Sequence, residues 1–552
     1  MTATDAPVAA APPQPRWTVP SFRRTPGRYP LGVEAVNFNQ LADLASGLPV
    51  LSQHPRYWSI YTYIVKSFWD RGLTPQTTVR LGRFLKPHEV VFASAALLCD
   101  RHPELPGIIG RDTIAPHLRE ARDDLRLDLD YLGQNLGGYG QVYRGAMADL
   151  GLILRADLTP GARVDAPMGD LGASIANAFG RAIAGTTYAR QHAGQTEGTI
   201  PLGVVRELAQ ASCFCRLGEV GTERDLLVDL LLGRLQPPHE AHRNRAATVR
   251  LFLDLAQATD GLAIDEERFR RLLYWGADEE GGTWRPSSSV EPAWRRWWLA
   301  RHRELMVGAL NALFVHFVRW GLDSGGALRP QPIAEYAAAI SALRPSVDLG
   351  IGSATLVETT LSAVVATLDS FVRADGWPMK AGTDSPREDR ILDRARRGIA
   401  ADAPVYALVA LLIALRRVNV FLEATAASPA EKAMLDDGGI DRIGTSVLVE
   451  WVDRHLAAAD SLADVLVDLL RTFVVRQHLR IARGKLPEDT FRFHEDGGAL
   501  RFVDQGDHQG INPISIRFNA VASALSELQM VAAPFGQPGH RPTPLGAEVL
   551  GV

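Results

Sequence analysis

Residues 139–154, YGQVYRGAMADLGLIL, form the first copy of a pattern that occurs twice in the chain. They are followed by LTPG at 158–161 and by GDLGASIANAF at 169–179. The second copy is NAVASALSELQMV at 519–531, followed by PGHR at 538–541 and TPLGAEVL at 543–550. Each copy predicts a helix with an abrupt apolar end, a turn-rich hairpin and a short helix that contains glycine.

Both copies resemble the end of a winged-helix domain. In that family a recognition helix ends in a sequence similar to L-x-x-L-G-L-I, two strands form the wing, and T-x-x-G-x-x-L begins the last helix. The resemblance implies a winged-helix-like module at each of the two places, and it implies that the first helix of each copy faces double-stranded DNA.

Helical spacing identifies the side chains of these two helices that we expect to face DNA. In the first copy an apolar face of Val142, Ala146 and Leu150 leaves Gln141, Tyr143 and Arg144 exposed. In the second copy Arg517, Asn519 and Ser523 lie off the apolar stripe. Arg, Asn and Gln can each form paired hydrogen bonds to base edges. The alternative is that both modules bind proteins and do not contact DNA.

The sequence before the second copy predicts a hairpin and a helix start. Residues 490–503, TFRFHEDGGALRFV, alternate on both sides of Glu495-Asp496-Gly497-Gly498, which is a strong hairpin signal. Asn512 followed by Pro513 is typical of a helix N-terminus. An apolar stripe then runs through Ile514, Phe518, Val521, Leu525 and Leu528. We therefore expect one helix over 514–531.

Helical periodicity dominates the rest of the chain, so we predict a mainly α, multi-domain protein. Helices are expected from Tyr57, from Pro87 and over Thr113–Leu129, and the tryptophan-rich stretch from Trp294 predicts a core helix whose arginines extend to solvent. The predicted regions are a disordered arm at 1–28, an N-terminal helical region at 29–185 that ends in the first winged-helix-like module, a linker at 186–200, a helical middle domain at 201–485 and a C-terminal winged-helix-like module at 486–552.

Composition limits the location and partners that we expect. The chain has 59 basic and 63 acidic residues, so a nucleic-acid contact must come from a local patch. The longest apolar run, Ala403–Leu415, is shorter than the about 20 residues of a membrane span, which favours a buried core helix and no membrane contact. Three cysteines and the lack of an apolar leader favour a reducing, cytoplasmic environment.

A local basic patch is predicted just before the hairpin. Arg476, Arg480 and Arg483 follow at i, i+4 and i+7 and so share one helix face, while Leu479, Ala482 and Leu486 occupy another. Guanidinium groups on one face can bind phosphates through charge-assisted hydrogen bonds. The alternative is an ordinary solvated face, or cations that complement the helix dipole.

The sequence predicts no catalytic residue, cofactor or metal. Cys213 and Cys215 have C-x-C spacing with only Cys99 besides, so we interpret all three as ordinary buried cysteines. Phosphate-binding loop, zinc-protease, serine-hydrolase and kinase motifs are absent from the sequence. The chain is therefore expected to be non-catalytic, and the alternative is a nuclease whose site is assembled from distant residues.

Several segments resemble a family of bacterial proteins that look like components of phage-defence or mobile-element loci. They are YWSIY at 57–61, GGYGQVYRGAMADLGL at 137–152, CFCRL at 213–217 with ER at 223–224, and TFRF at 490–493. The resemblance implies a DNA-binding or scaffolding component of a multi-protein system, with a helicase or nuclease as partner. A second hypothesis is a kleisin-like subunit that bridges an SMC-type ATPase, because kleisins also carry winged-helix domains near both ends.

Overall fold

The computed structural model describes residues 27–102, 105–129, 132–344, 354–380, 387–396, 400–505 and 513–551. Helices make up 60% of the structure, which confirms the mainly α class. All but two residues of the predicted arm at 1–28 lie outside the described residues.

The helices of the first half of the chain are α1 (Glu34–Leu44), α2 (Arg56–Asp70), α3 (Thr78–Leu97), α4 (Arg111–Glu120), α5 (Arg144–Asp149), α6 (Gly169–Ile183), α7 (Leu202–Ser212), α8 (Gly221–Leu231), α9 (Glu240–Ala258) and α10 (Glu266–Trp275). Among them, α2 packs on α3 and α6, and α9 packs on α1 and α8. Turns of π-helix lie at Tyr139–Tyr143 and Tyr188–His192, and a 3₁₀ helix lies at Phe214–Glu219.

The helices of the second half begin with α11. They are α11 (Glu291–Asp323), α12 (Ile333–Ser341), α13 (Leu361–Asp375), α14 (Glu388–Arg396), α15 (Ala403–Ala424), α16 (Pro429–Asp436), α17 (Thr445–Ala458), α18 (Leu462–Leu469), α19 (Arg476–Gly484), α20 (Phe518–Glu527) and α21 (Pro544–Leu550). A π-helical turn, Leu470–Val475, joins α18 to α19.

The strands form short antiparallel pairs. β1 (Asp124–Arg126) pairs with β4 (Thr199–Pro201), β2 (Ile153–Leu154) with β3 (Ala166–Pro167), and β5 (Phe493–Asp496) with β6 (Ala499–Phe502). The β5–β6 hairpin turns at Gly497 and Gly498, both with positive φ, as the Asp-Gly-Gly signal predicts.

α11 and α15 pack against each other at the centre of the second half. Both are long and apolar enough to cross a membrane, but 78% of the most apolar window of each is buried within the fold. The predicted core helix at Ala403–Leu415 is therefore confirmed as part of α15. Trp298 of α11 stacks between Tyr274 and Phe421, with ring centroids 5.0 and 5.4 Å away.

The arginines of α11 differ from the expectation that they extend to solvent. Arg301 and Arg303 are buried. Arg301 donates to Glu304 at 2.6 Å, and Arg303 donates to the carbonyl oxygens of Val33, Arg442 and Ile443. These acceptors form the hydrogen bonds that water would otherwise form with the two guanidinium groups, so both charged side chains can remain buried.

The first copy of the repeated pattern is a helix, a two-stranded hairpin and a helix. Its turn is closed by the Leu152 amide, which donates to the Met147 carbonyl at 2.8 Å, and by the Met168 amide, which donates to the Leu152 carbonyl at 2.9 Å. Gly172 lies against the same carbonyl, since a Cβ there would be 2.5 Å from the Leu152 oxygen.

The second copy has corresponding hydrogen bonds, although the second donor is three residues before the glycine and not four. The Met530 amide donates to the Leu525 carbonyl at 2.8 Å, and the Thr543 amide donates to the Met530 carbonyl at 3.0 Å. Gly546 stands where Gly172 does, since a Cβ there would collide with the Met530 carbonyl. The wing is shorter, because an isolated bridge between Val531 and Pro542 replaces the strand pair.

Several predicted helix boundaries are wrong. The helix predicted over 514–531 is α20, which begins at Phe518 after Arg517 with φ of 63°. The backbone before it bonds to α10 side chains instead: the Ile514 carbonyl accepts from Arg270, and the Ile516 amide donates to Glu266 at 3.1 Å. Asn512 lies outside the described residues.

Two further boundaries lie in the N-terminal region. Pro87 is inside α3 and does not start a helix. The helix predicted to reach Leu129 ends at Glu120, because residues 124–126 pair with β4. β4 and the π-helical turn at Tyr188–His192 occupy the segment predicted as a linker at 186–200.

The segment 486–552 packs in two different places. Phe493 and Phe502 of the hairpin contact Phe317 of α11, with ring centroids 5.6 and 5.3 Å away, and Leu500 forms a β-bridge to Gln331. α20 and α21 pack instead against α9. The hairpin is therefore part of the α11 core and is separate from the helices that follow it.

Candidate nucleic-acid interface and cysteine–histidine cluster

The basic face predicted on α19 is exposed. Arg476, Arg480 and Arg483 are all exposed, while Leu479 and Ala482 are buried. Arg480 pairs with Asp441 and donates to Gln477 at 2.7 Å, and Arg483 lies 3.3 Å from Glu495 with both side chains 63% exposed. Leu486, which was expected on the apolar face, is 48% exposed because α19 ends at Gly484.

A groove of about 610 Å³ lies beside this face. Its charged lining is Arg28, Arg442, Arg480 and Lys485 with one carboxylate, Asp441. The rest of the lining is apolar or small: Tyr29, Gly32, Ala35, Phe38, Ile481 and Gly484. The groove therefore has an excess of positive charge and two aromatic rings.

The segment from Arg28 to Phe38 forms one wall of the groove. Cationic side chains of the opposite wall bind its backbone. Lys485 Nζ donates to the carbonyl of Arg28 at 2.5 Å, and Arg442 Nη1 donates to the carbonyl of Gly32 at 3.3 Å. Burial lowers the pKa of Lys485. Carbonyl acceptors orient a cation without cancelling its charge, so these contacts leave the groove positive.

The first predicted recognition helix presents only part of its predicted face. Gln141 is exposed, but the expectation that Tyr143 is exposed is wrong. Tyr143 is fully buried, with its ring 4.8 Å from Tyr57 and 5.3 Å from Tyr61, because the π-helical turn directs it into the core.

Arg144 in the same helix is held by internal carboxylates. Its Nε and Nη2 atoms donate to the two oxygens of Asp165 at 2.6 and 2.7 Å, and Nη2 also donates to Asp157 at 2.7 Å. These ion pairs raise the pKa of Arg144, mainly through its hydrogen bonds to the Asp165 carboxylate.

The second predicted recognition helix, α20, packs between other elements. Arg517 is half-buried and donates to the Ala45 carbonyl at 2.9 Å. Asn519 is exposed with its amide 3.5 Å from Glu266, and Ser523 is half-buried. α20 contacts α9, α10 and the 3₁₀ helix.

The structure brings three residues from the two predicted modules into one pocket. Gln141 and Arg144 from the first copy and Arg517 from the second line a cavity of about 370 Å³ together with Asp149 and Arg155. The two repeated motifs are therefore neighbours in space, which the sequence interpretation did not predict.

Four side chains that were not predicted to lie together form a cluster with the composition of a metal site. Cys99, His102, Cys213 and Cys215 place one potential ligand atom each within 4.8 Å of all the others. Cys99 and His102 follow α3, Cys213 ends α7, and Cys215 lies in the 3₁₀ helix. Cys215 is exposed, so the interpretation of all three cysteines as buried is wrong for this one.

His102 was missed because its partners are distant in sequence. The signal that could have found it is the C-x-x-H spacing from Cys99, combined with C-x-C at 213–215. The groove residues Arg28 and Arg442 were also missed, because they come from segments far from α19.

Comparison of the chain with protein-family models, with curated proteins and with solved structures gave no match. The function must therefore be argued from the residues themselves.

Proposed function

We propose that the protein is a non-catalytic, cytoplasmic DNA-binding component of a multi-protein bacterial system such as phage defence, and that it binds DNA phosphates at α19 and the adjoining groove. The observation that carries the proposal is the groove lining, with four cations and one carboxylate. Arg476 and Arg483 extend the positive surface along the exposed face of α19.

The geometry favours contacts to the backbone of DNA. The ion pair of Arg483 with Glu495 is highly exposed, and such pairs contribute little energy and exchange readily for another anion. Guanidinium groups in a row bind phosphates irrespective of the bases. Recognition of particular bases would need side chains that reach a groove of the duplex. Of Arg517, Asn519 and Ser523, Asn519 is exposed and the other two are half-buried.

The test is a salt series of duplex-DNA binding by fluorescence anisotropy. Arg476→Ala should weaken binding equally for unrelated sequences and reduce the salt slope by about 1, since each phosphate contact contributes roughly 0.9. Arg206→Ala, an exposed arginine on α7, is the matched control and should bind as the unmodified chain does. No binding at low ionic strength, or equal losses in the two variants, would contradict the proposal.

A further inference from the structure

We propose that Cys99, His102, Cys213 and Cys215 bind one Zn²⁺ ion in a closed, structural site. Three sulfurs and one imidazole nitrogen are a ligand set typical of structural zinc, which has four protein ligands and no open position. The proposal is independent of DNA binding, because the cluster and the α19 groove share no residue.

Both sulfur separations from Cys215 are close to those of a tetrahedral site. Cys99 Sγ and Cys213 Sγ each lie 3.6 Å from Cys215 Sγ, and His102 Nε2 lies 2.9 Å from Cys213 Sγ. With Zn–S bonds of about 2.3 Å and Zn–N bonds of about 2.0 Å, tetrahedral geometry places sulfurs about 3.8 Å apart and sulfur about 3.5 Å from nitrogen. Two of these three separations already match, and the third needs a movement of about 0.6 Å.

The same distances exclude a disulfide in this arrangement. An S–S bond is about 2.05 Å long, far shorter than the 3.6 Å between Cys215 Sγ and either of the other sulfurs.

Hydrogen bonds around the cluster hold its two halves in place. Arg56 donates to the carbonyl of Cys213 and, at 2.8 Å, to that of Ala211. On the solvent side Arg101 pairs with Glu219, which joins the Cys99–His102 segment to the 3₁₀ helix. Supporting contacts of this kind orient the ligands of structural metal sites.

The position of the cluster gives the ion a structural role. The ion would join the end of α3 to the end of α7 and the start of the 3₁₀ helix. Two of its ligands, Cys99 and Cys215, are 116 positions apart in the chain. The 3₁₀ helix packs in turn on α20. Phe214, between the two cysteine ligands, stacks on His54 with ring centroids 4.5 Å apart. A bound ion would therefore hold the first half of the fold against the C-terminal helices.

The test measures metal in the full-length chain purified without a metal-affinity tag. Elemental analysis should give one Zn²⁺ per chain, and replacement by Co²⁺ should give the visible bands of a tetrahedral site with a sulfur-to-cobalt charge-transfer band. Cys215→Ser, at the exposed ligand, and His102→Asn should each weaken Zn²⁺ binding at least tenfold, while the distant His192→Asn should not.

Chelation should lower the thermal unfolding temperature, and added Zn²⁺ should restore it. If a variant fails to fold, the metal content and the Co²⁺ spectrum of the unmodified chain still test the proposal. A chain that takes up neither Zn²⁺ nor Co²⁺ and titrates as three free thiols would overturn the proposal. So would a disulfide among the three cysteines, or uptake of Zn²⁺ that is unchanged in both ligand variants.

Discussion

Arg56 of α2 and Glu223 of α8 form a two-point ion pair in the interior of the protein. Nη2 lies 3.0 Å from Oε2 and Nε lies 3.2 Å from Oε1, and neither side chain is more than 1% exposed. Ser59 donates to the same carboxylate at 2.5 Å. Arg56 also donates to the carbonyls of Ala211 and Cys213. The pair therefore connects α2, α8 and the end of α7, next to the cysteine–histidine cluster.

Glu223→Gln should strongly destabilise the fold. The variant leaves the buried Arg56 guanidinium without a counter-charge, and loss of one partner of a buried pair costs about 3–5 kcal/mol. Chemical denaturation measures the loss. Glu423→Gln, which removes an exposed pair with Arg373, is the control and should unfold at the same denaturant concentration as the unmodified chain. Equal effects of the two substitutions would contradict the structural role of the buried pair.

The contact between His54 and Glu527 predicts a pH-dependent stability. Burial alone would lower the pKa of His54, but the charge and hydrogen bond of Glu527 and the Pro106 carbonyl outweigh it, so the pKa is raised. The contact therefore contributes fully below the unfolded-state pKa of about 6.5 and is lost as pH rises through the higher folded-state pKa.

Urea unfolding between pH 5 and 9 tests this prediction. The difference in stability between the unmodified chain and Glu527→Gln should be largest at the acidic end and should shrink as pH rises. A difference that is constant with pH, or that grows with pH, would show that His54 is not the titrating group.

Local patterns in the sequence predicted much of the fold. The apolar run from Ala403 became α15. The two glycines after Asp496 form the turn of the β5–β6 hairpin. In each case the residues that determine the structure are neighbours in the chain.

The candidate sites could not be predicted in the same way, because they are made by packing between distant segments. His102 and Cys213 are 111 positions apart, and Gln477 in α19 donates to the Leu31 carbonyl across 446 positions. Helical spacing alone also placed Tyr143 on the wrong face, since it does not anticipate a π-helical turn. Such positions depend on the tertiary contacts of the whole chain.

The equivalent glycines of the repeated motif predict matched effects. Gly172→Ala and Gly546→Ala should each destabilise the fold, because the new methyl group would collide with the carbonyl oxygen of Leu152 or of Met530. That oxygen accepts a hydrogen bond of the turn, so it cannot move away without breaking the turn. Gly145→Ala in α5 is the control. Its Cβ enters open space, and alanine favours a helix by about 0.5–1 kcal/mol. Thermal unfolding measures all three, and a stabilised Gly172→Ala would contradict the close approach.

Arg144→Ala should reduce stability and leave DNA binding unchanged. The guanidinium is bound to Asp165, whose side chain is 2% exposed, so its removal leaves a buried carboxylate with hydrogen bonds from Tyr139 and the Ala156 amide but without its paired cation. We expect a loss of about 2–3 kcal/mol, as for a buried charged group that loses its partner. Denaturant unfolding and duplex-DNA anisotropy should be measured on the same preparation, beside Arg476→Ala. An Arg144→Ala chain with normal stability but weaker DNA binding would contradict this prediction and show that Arg144 contacts DNA, as its helical position suggests.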